Sequence, residues 1–432
     1  MGAGMTPTGG TGRFLVPVAV WALTRAALLL CVFKVVTLPG PDVTSDVSVI
    51  YHGWSEVLRT GTYPLGDVTW QYPPVAALAV LSPALLPFLD YASAFFVLAC
   101  LCDALVLGLL LYAGRGTGRR TAGGWVWVAG VPLLGTTAYA RYDVMVTAVA
   151  VAALLAGVRH PRVLGALAAF GALLKVWPVL LLAGTTRGES TRRSWTAAVV
   201  TAAGLLVVCT AAMPGALAFL GFQRDRGTEV ESLGALVFHV ARQFGWQGRV
   251  ELNYGSLEFL GPHVQLVSTL ALGLSLVAFG WLVMWRLLAR DFGVSTPADA
   301  AFTAVLLFTT TSRVISPQYM LWLVGLAAVC LAFRSSRMGL PAVLVLVATG
   351  VTQLEFPLGF VHVVTSDAQG VTLMFVRNGL LVAATLVASR RLWKETVPAP
   401  VRRDRHRLPV RPSGPAGQVS RDGTADTPAS AP

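Results

Sequence analysis

The sequence predicts an all-α polytopic membrane protein: a bundle of about twelve hydrophobic helices whose first outer loop is itself made of juxtamembrane helices. Three observations carry that prediction. Apolar residues make up 55% of the chain and charged residues 12%, far from the balance of a soluble domain. Apolar runs of about 17 to 25 residues recur from Phe14 to Ser389, each long enough to cross a hydrocarbon core of ~30 Å. Arginine gathers at the ends of those runs, as it does in cytoplasmic loops.

The net charge of +12 is therefore a topological signal, and nucleic acid is excluded as a partner. Cys31, Cys100, Cys102, Cys209 and Cys330 all sit in apolar segments, where they read as small hydrophobes. Their spacing fits neither a zinc site nor a disulfide framework.

Placing the Arg-rich loops (115–120, 159–162, 187–193, 286–290, 334–337 and 390 onward) in the cytoplasm puts 39–90, 141–143, 214–262, 313–315 and 358–370 outside. Residues 1–13 form a cytoplasmic N-terminus, and 14–389 the transmembrane domain. The run 14–38 is a retained anchor, since it is long for a signal peptide and carries Arg25 and Lys34. The first outer loop, 39–90, is acidic. In it Asp46 begins a helix with Ile50, Trp54, Val57 and Leu58 on one apolar stripe. The run 75–89 lies along the interface, because counting it as a crossing would put Arg119 and Arg120 outside.

The same parity argument applies to 163–183. Its centre, Leu173-Leu174-Lys175-Val176-Trp177-Pro178, holds a proline that stops a helix and a lysine that is costly in lipid. A broken, re-entrant hairpin is expected there, with Lys175 facing a polar cavity. The full crossings are drawn at 14–38, 92–113, 125–140, 144–158, 195–213, 264–288, 298–312, 316–333, 340–357 and 371–389, with a second large outer loop at 214–262. The tail 390–432 is basic and disordered, with Arg402 to Arg411 against anionic lipid heads, so both termini are cytoplasmic.

Five polar clusters fall on the outer side. Asp46, at the water–lipid boundary, is placed to act as a general base on an acceptor hydroxyl that attacks a sugar carbon. The plain alternative is a helix N-cap made by Ser45 or Asp46, and Asp42, in a turn beside Pro41, is the competing base. Arg141-Tyr142-Asp143 either caps a helical hairpin or shapes a polar cavity. Lys175 lies too far from either end of its run to snorkel and is expected to bind an anionic group, most simply a lipid phosphate.

In Gln223-Arg224-Asp225-Arg226-Gly227-Thr228-Glu229-Val230-Glu231-Ser232, Arg224 or Arg226 suits a phosphate leaving group. Glu229 and Glu231 pair with them or bind sugar hydroxyls; a solvated charge cluster is the alternative. Arg313, with Ser316 and Gln318 near a helix start, offers an anion site, although Pro317 there is also ordinary helix punctuation. His52, His239, His263 and His362 show no metal-ligand spacing, and an Asp-x-Asp pattern is missing. No metal and no cofactor are expected, and a lipid-phosphate donor is favoured over a nucleotide sugar.

These residues resemble glycosyltransferase family 87, of the GT-C class of polytopic glycosyltransferases. The resemblance rests on Asp46-Val-x-Val-x-Tyr51, Trp70-Gln71-Tyr72-Pro73-Pro74, Arg141-Tyr142-Asp143, Leu174-Lys175-x-Trp177-Pro178, Gly227-x-Glu229-Val-Glu231-Ser232 and Ser316-Pro317-Gln318-Tyr319-x-x-Trp322. It implies a GT-C-like bundle and inverting transfer of mannose, with an α-1,2 linkage in the better-known relatives. The implied donor is polyprenyl-phosphate-mannose, and the acceptor a glycolipid or glycan outside the cell membrane.

The base of the family, an acid of the first outer loop, maps onto Asp46. Arg313, Lys175, Arg224 and Gln318 are then expected at the donor phosphate, and Tyr51, Tyr72, Arg141, Asp143, Glu229 and Glu231 at the acceptor or sugar. Another polyprenyl-phosphate sugar, a lipid or sugar flippase, and a catalytically silent partner are the competing readings. The flippase would want the inverted repeats that this chain lacks.

Overall fold

The computed structural model describes residues 12–222 and 227–398. Arg224, with the rest of 223–226, and the basic tail from 399 lie outside the described residues. The chain runs through α1 (Gly12–Val32) into a first long loop, where a π-helical turn (Asp46–Tyr51) continues as α2 (His52–Arg59). Next come α3 (Ala76–Leu81), extended by a 3-10 turn to Leu85, then α4 (Tyr91–Ala113), α5 (Ala122–Leu134), α6 (Asp143–Gly157) and α7 (Pro161–Leu174). After a 3-10 stretch (Trp177–Gly184) follow α8 (Glu189–Ala212) and α9 (Phe219–Phe222). The second long loop holds β1 (Thr228–Glu229), α10 (Ala235–Gln243), β2 (Arg249–Asn253) and β3 (Ser256–Leu260). The remainder is α11 (Val264–Leu288), α12 (Thr296–Thr311), α13 (Tyr319–Ala332), α14 (Gly339–Gln353), α15 (Phe360–Thr365) and α16 (Ala368–Thr396).

Among the described residues six helices are long and apolar enough to cross a membrane: α1, α4, α8, α11, α14 with its extension to Leu358, and α16. Of the crossings drawn at 125–140, 144–158, 298–312 and 316–333, the first and last come out shorter than drawn, and α5, α6, α12 and α13 hold 13, 15, 16 and 14 residues. At 1.5 Å per residue such helices reach about 20–24 Å, short of a core of ~30 Å. The shortfall falls at Arg141-Tyr142-Asp143 and Ser312 to Gln318, where polar residues and Pro317 interrupt the apolar pattern. The first anchor also ends early, at Val32, and Lys34 sits in a left-handed turn (φ 60°).

The helix α7 climbs to Lys175, whose extended backbone breaks it, and the 3-10 stretch returns so that Gly184 packs on Pro297 and Ala300 at the start of α12. Both ends of this broken pair therefore lie at one end of the bundle. The Arg-rich connections meet there too: Arg120 donates to the Leu331 carbonyl, Arg334 to that of Arg119, and Arg187 to those of Arg286 and Leu287.

Two of the short helices, α12 and α13, are buried along nearly their whole length, whereas only 6% of α8 is buried. Close packing in the centre depends on small residues, as at Gly123, where an added Cβ would stand 2.2 Å from the Ala328 carbonyl oxygen. Between α1, α4 and α5, Asp103 is fully buried and accepts from Arg25 Nε (2.7 Å), Trp21 Nε1 (3.0 Å), Trp127 Nε1 (2.6 Å) and Tyr139 Oη (2.5 Å). Arg25 donates further to Asp103 through Nη2, to the Val128 and Trp127 carbonyls and to the Thr24 hydroxyl, so the pair is closed within the bundle.

The all-α expectation missed a small antiparallel sheet, ordered β1-β3-β2. Asn253 pairs with Ser256 across Tyr254-Gly255, both at positive φ (48° and 77°), the backbone that a two-residue hairpin requires.

Candidate active site

The site forms where the short helices end. Asp46 opens the π-helical turn, and its carboxylate ion-pairs with the Arg141 guanidinium at the end of the α5–α6 connection. The Asp46 side chain is 27% exposed and that of Arg141 17%. Burial pushes the Asp46 carboxyl above its ordinary value, Arg141 pulls against this, and Asp42 adds to the rise. A carboxylate so poised holds a proton more readily than a solvated one, which suits a general base.

Asp42 is engaged differently. It pairs with Lys34 (2.7 Å) and accepts from the Thr44 amide (3.0 Å) and hydroxyl (2.6 Å). Against the upward push of burial, those hydrogen bonds bring its carboxyl below the ordinary value, which makes it the weaker base of the two.

The apolar stripe that seats Asp46 is offset from the expected one. Val47, Tyr51, Trp54 and Leu58 are buried, whereas Ile50 and Val57 are exposed. The π-helical turn has more residues per turn than an α-helix, so a pattern read with a period of 3.6 drifts over its length. Tyr51 stacks on Trp54 (5.3 Å between centroids) and meets Tyr142 (5.9 Å), and its buried hydroxyl has no hydrogen-bond partner among the described residues. Tyr142 in turn meets Tyr72 edge to face (5.3 Å).

Beneath this aromatic wall, Lys175 Nζ lies 2.7 and 2.9 Å from the two carboxylate oxygens of Asp143, and Trp322 Nε1 donates to the same carboxylate at 2.6 Å. The rings of Tyr72, Tyr142, Tyr319 and Trp322 surround the ammonium at 5.2–5.8 Å. Asp143 is wholly buried. Lys175, expected at a lipid phosphate, thus has its charge matched by Asp143, the first residue of α6. Trp322 was quoted only as part of a motif, and its contact with Asp143 is 179 residues away in sequence.

Glu229 joins the second long loop to the start of α13. Its carboxylate accepts from the Ile315 amide (2.7 Å) and the Ser316 hydroxyl (3.0 Å), and its own amide donates to the Arg313 carbonyl (3.1 Å). Arg313 also donates to Ser268 (3.3 Å), and Gln318 stands half-buried at the N-cap of α13. Glu231 is buried beside Arg377 (3.8 Å), which binds Glu355 through two nitrogens (3.0 and 2.6 Å). Burial, then Glu355 and Glu229, hold the Glu231 carboxyl well above its ordinary value against the pull of Arg377. Glu355 and Arg377 were not singled out from the sequence; two opposite charges in neighbouring apolar runs were the available signal.

The structure therefore brings Asp46, Arg141, Tyr51, Tyr72, Asp143 and Lys175 into one contact chain. It places Glu229, Arg313 and Gln318 beside Tyr319, and Glu231 behind them. Among the described residues no group of three or more His, Cys, Asp or Glu side chains is arranged to hold a metal ion.

With six long apolar helices, the molecule is a multi-pass membrane protein. The family model of glycosyltransferase family 87 matches residues 70–317, more than half of the chain, and the chain belongs to that family. It is a membrane glycosyltransferase, with a sugar donor and an acceptor as its substrates. The matched stretch includes Arg141, Asp143, Lys175, Glu229 and Arg313 and begins after Asp46. No curated protein and no solved structure matches the chain.

Proposed function

We propose that this glycosyltransferase moves mannose, forming an α-1,2 linkage, from polyprenyl-phosphate-mannose to a glycolipid or glycan acceptor on the extracytoplasmic face of the cell membrane. The observation that carries the reading is the Asp46–Arg141 pair. Asp46 is a partly exposed carboxylate with, among the described residues, Arg141 as its one ion-pair partner, whereas Asp143 and Glu229 are buried and hydrogen-bonded.

In the proposed step the acceptor oxygen attacks the anomeric carbon while the bond from that carbon to the phosphate oxygen breaks. The acceptor proton passes to Asp46, and polyprenyl phosphate leaves with the electron pair. A single displacement inverts the anomeric centre and needs no covalent intermediate. Arg313, near the α13 start, is the cation assigned to the phosphate, with Gln318 beside it. Lys175 keeps Asp143 neutralised and shapes the aromatic wall that Tyr72 shares. Arg141 orients Asp46 and holds charge near the sugar.

Transfer of radiolabelled mannose into membrane lipids, measured with polyprenyl-phosphate-mannose and with a nucleotide-mannose as alternative donors, tests this. Label from the lipid-linked donor is expected. Label from the nucleotide sugar alone would overturn the donor class, and label from polyprenyl-phosphate glucose or arabinose in place of mannose would overturn the sugar.

A further inference from the structure

At the Arg-rich end of the bundle, far along α7 from Lys175, a groove of about 560 Å³ is lined by Arg162, Glu189, Arg192, Arg193, Thr196 and Ala197, with Val200 extending one wall. We infer that this groove is a binding site for one anionic two-chain phospholipid, whose phosphate sits among the three guanidinium groups and whose acyl chains run along Ala197 and Val200.

Charge is the first support. Three arginines against one glutamate leave the groove positive, and Glu189 is spent on Arg193, its neighbour one turn on. Among the described residues Arg162 and Arg192 make no side-chain hydrogen bond or ion pair, so two guanidinium groups are free to take a bidentate phosphate.

Position is the second. Arg162 lies in the first turn of α7, and Arg192 and Arg193 near the start of α8, where a cation opposes the helix dipole and an anion is favoured. A preference for arginine on this side would be met by Arg159 and Arg187 in the adjoining connections; it does not call for arginines on the helices themselves.

The wall is the third. With 6% of its span buried, α8 turns its flank to lipid, and Trp195, Val199 and Val200 are exposed along it. The groove is also preformed. Ser194 donates to the Pro161 carbonyl (2.9 Å), and α7 and α8 approach so closely that a Cβ on Gly165 would stand 1.9 Å from the Ser194 carbonyl oxygen. A lipid seated there meets a rigid cleft with a charged mouth and an apolar floor, and none of these residues belongs to the transfer site.

The test is native mass spectrometry of the full chain in a neutral detergent, titrated with phosphatidylglycerol or with phosphatidylcholine of the same acyl chains. Wild type is expected to bind the anionic lipid at least tenfold more tightly, and the R162Q/R192Q/R193Q variant to lose that preference without a change in melting temperature. Ala197→Phe, which fills the groove and keeps every arginine, is expected to weaken phosphatidylglycerol binding as well. Retained preference in the triple variant would overturn the site. Displacement of the lipid by millimolar inorganic phosphate, or indifference to Ala197→Phe, would show an ion site and overturn the lipid.

Discussion

Among the described residues two aspartates, Asp103 and Asp46, face an arginine, and they are built to opposite ends. Asp103 lies fully buried between α1, α4 and α5, with Arg25, Trp21, Trp127 and Tyr139 all donating to it. Asp46 has Arg141 and a partly open face. A carboxylate saturated by five donor atoms has no lone pair to offer a substrate, and its value is in holding three helices together. One with a single partner at the surface is a weak fastener and an available base. Asp143 stands between them, buried and satisfied like Asp103, yet held by the Lys175 that the Tyr72 and Tyr142 rings surround.

Breaking the saturated pair is expected to have the largest effect on folding. Asp103→Asn leaves Arg25 charged and unpaired inside the bundle and should cost about 3–5 kcal/mol. Thermal melting and yield from membranes check this; a normally stable Asp103→Asn would remove the contrast with Asp46. Lys175→Met should follow, at about 3 kcal/mol for the unpaired Asp143, and the double variant Lys175→Met/Asp143→Leu should regain melting temperature without regaining transfer. If transfer returns along with stability, the pair is a fastener only.

Trp322→Phe, which keeps the stacking on Tyr319 and removes one donor from Asp143, should lower stability by about 2 kcal/mol. The smallest effect expected is a shift in pH dependence. The Asp46 carboxyl is raised by burial, so transfer should fail on acidification at a pH above the ordinary carboxylate value of about 3.9. The base works only when unprotonated, and Arg141→Gln removes a downward pull on its pKa. The acid limb of that variant's pH–rate profile should therefore move to higher pH; a limb that moves down or stays would separate Arg141 from Asp46.

Much of the frame was legible in local pattern. Apolar runs and arginine placement pointed to a multi-pass helical protein, and Lys175-Val176-Trp177-Pro178 marked the place where α7 breaks. The partners were not legible. Arg141 and Asp46 are 95 positions apart and Lys175 and Asp143 are 32, and only packing decides which charge meets which. Arg25 and Asp103, opposite charges inside two apolar runs, carried a usable signal that was not joined. The alternation Arg249-Val-Glu-Leu-Asn253 before Tyr254-Gly255 was likewise a hairpin signal, hidden by an all-helical expectation. The offset of the Asp46 stripe has a geometric cause, since a period of 3.6 does not describe a π-helical turn.

The most direct test is to purify wild type and Asp46→Asn and to measure mannosyl transfer and melting temperature side by side. A general base at Asp46 predicts a loss of transfer of about 10²–10⁴-fold with an unchanged melting temperature. Transfer within a few-fold of wild type would contradict it, and would hand the role of base to another acid of the site.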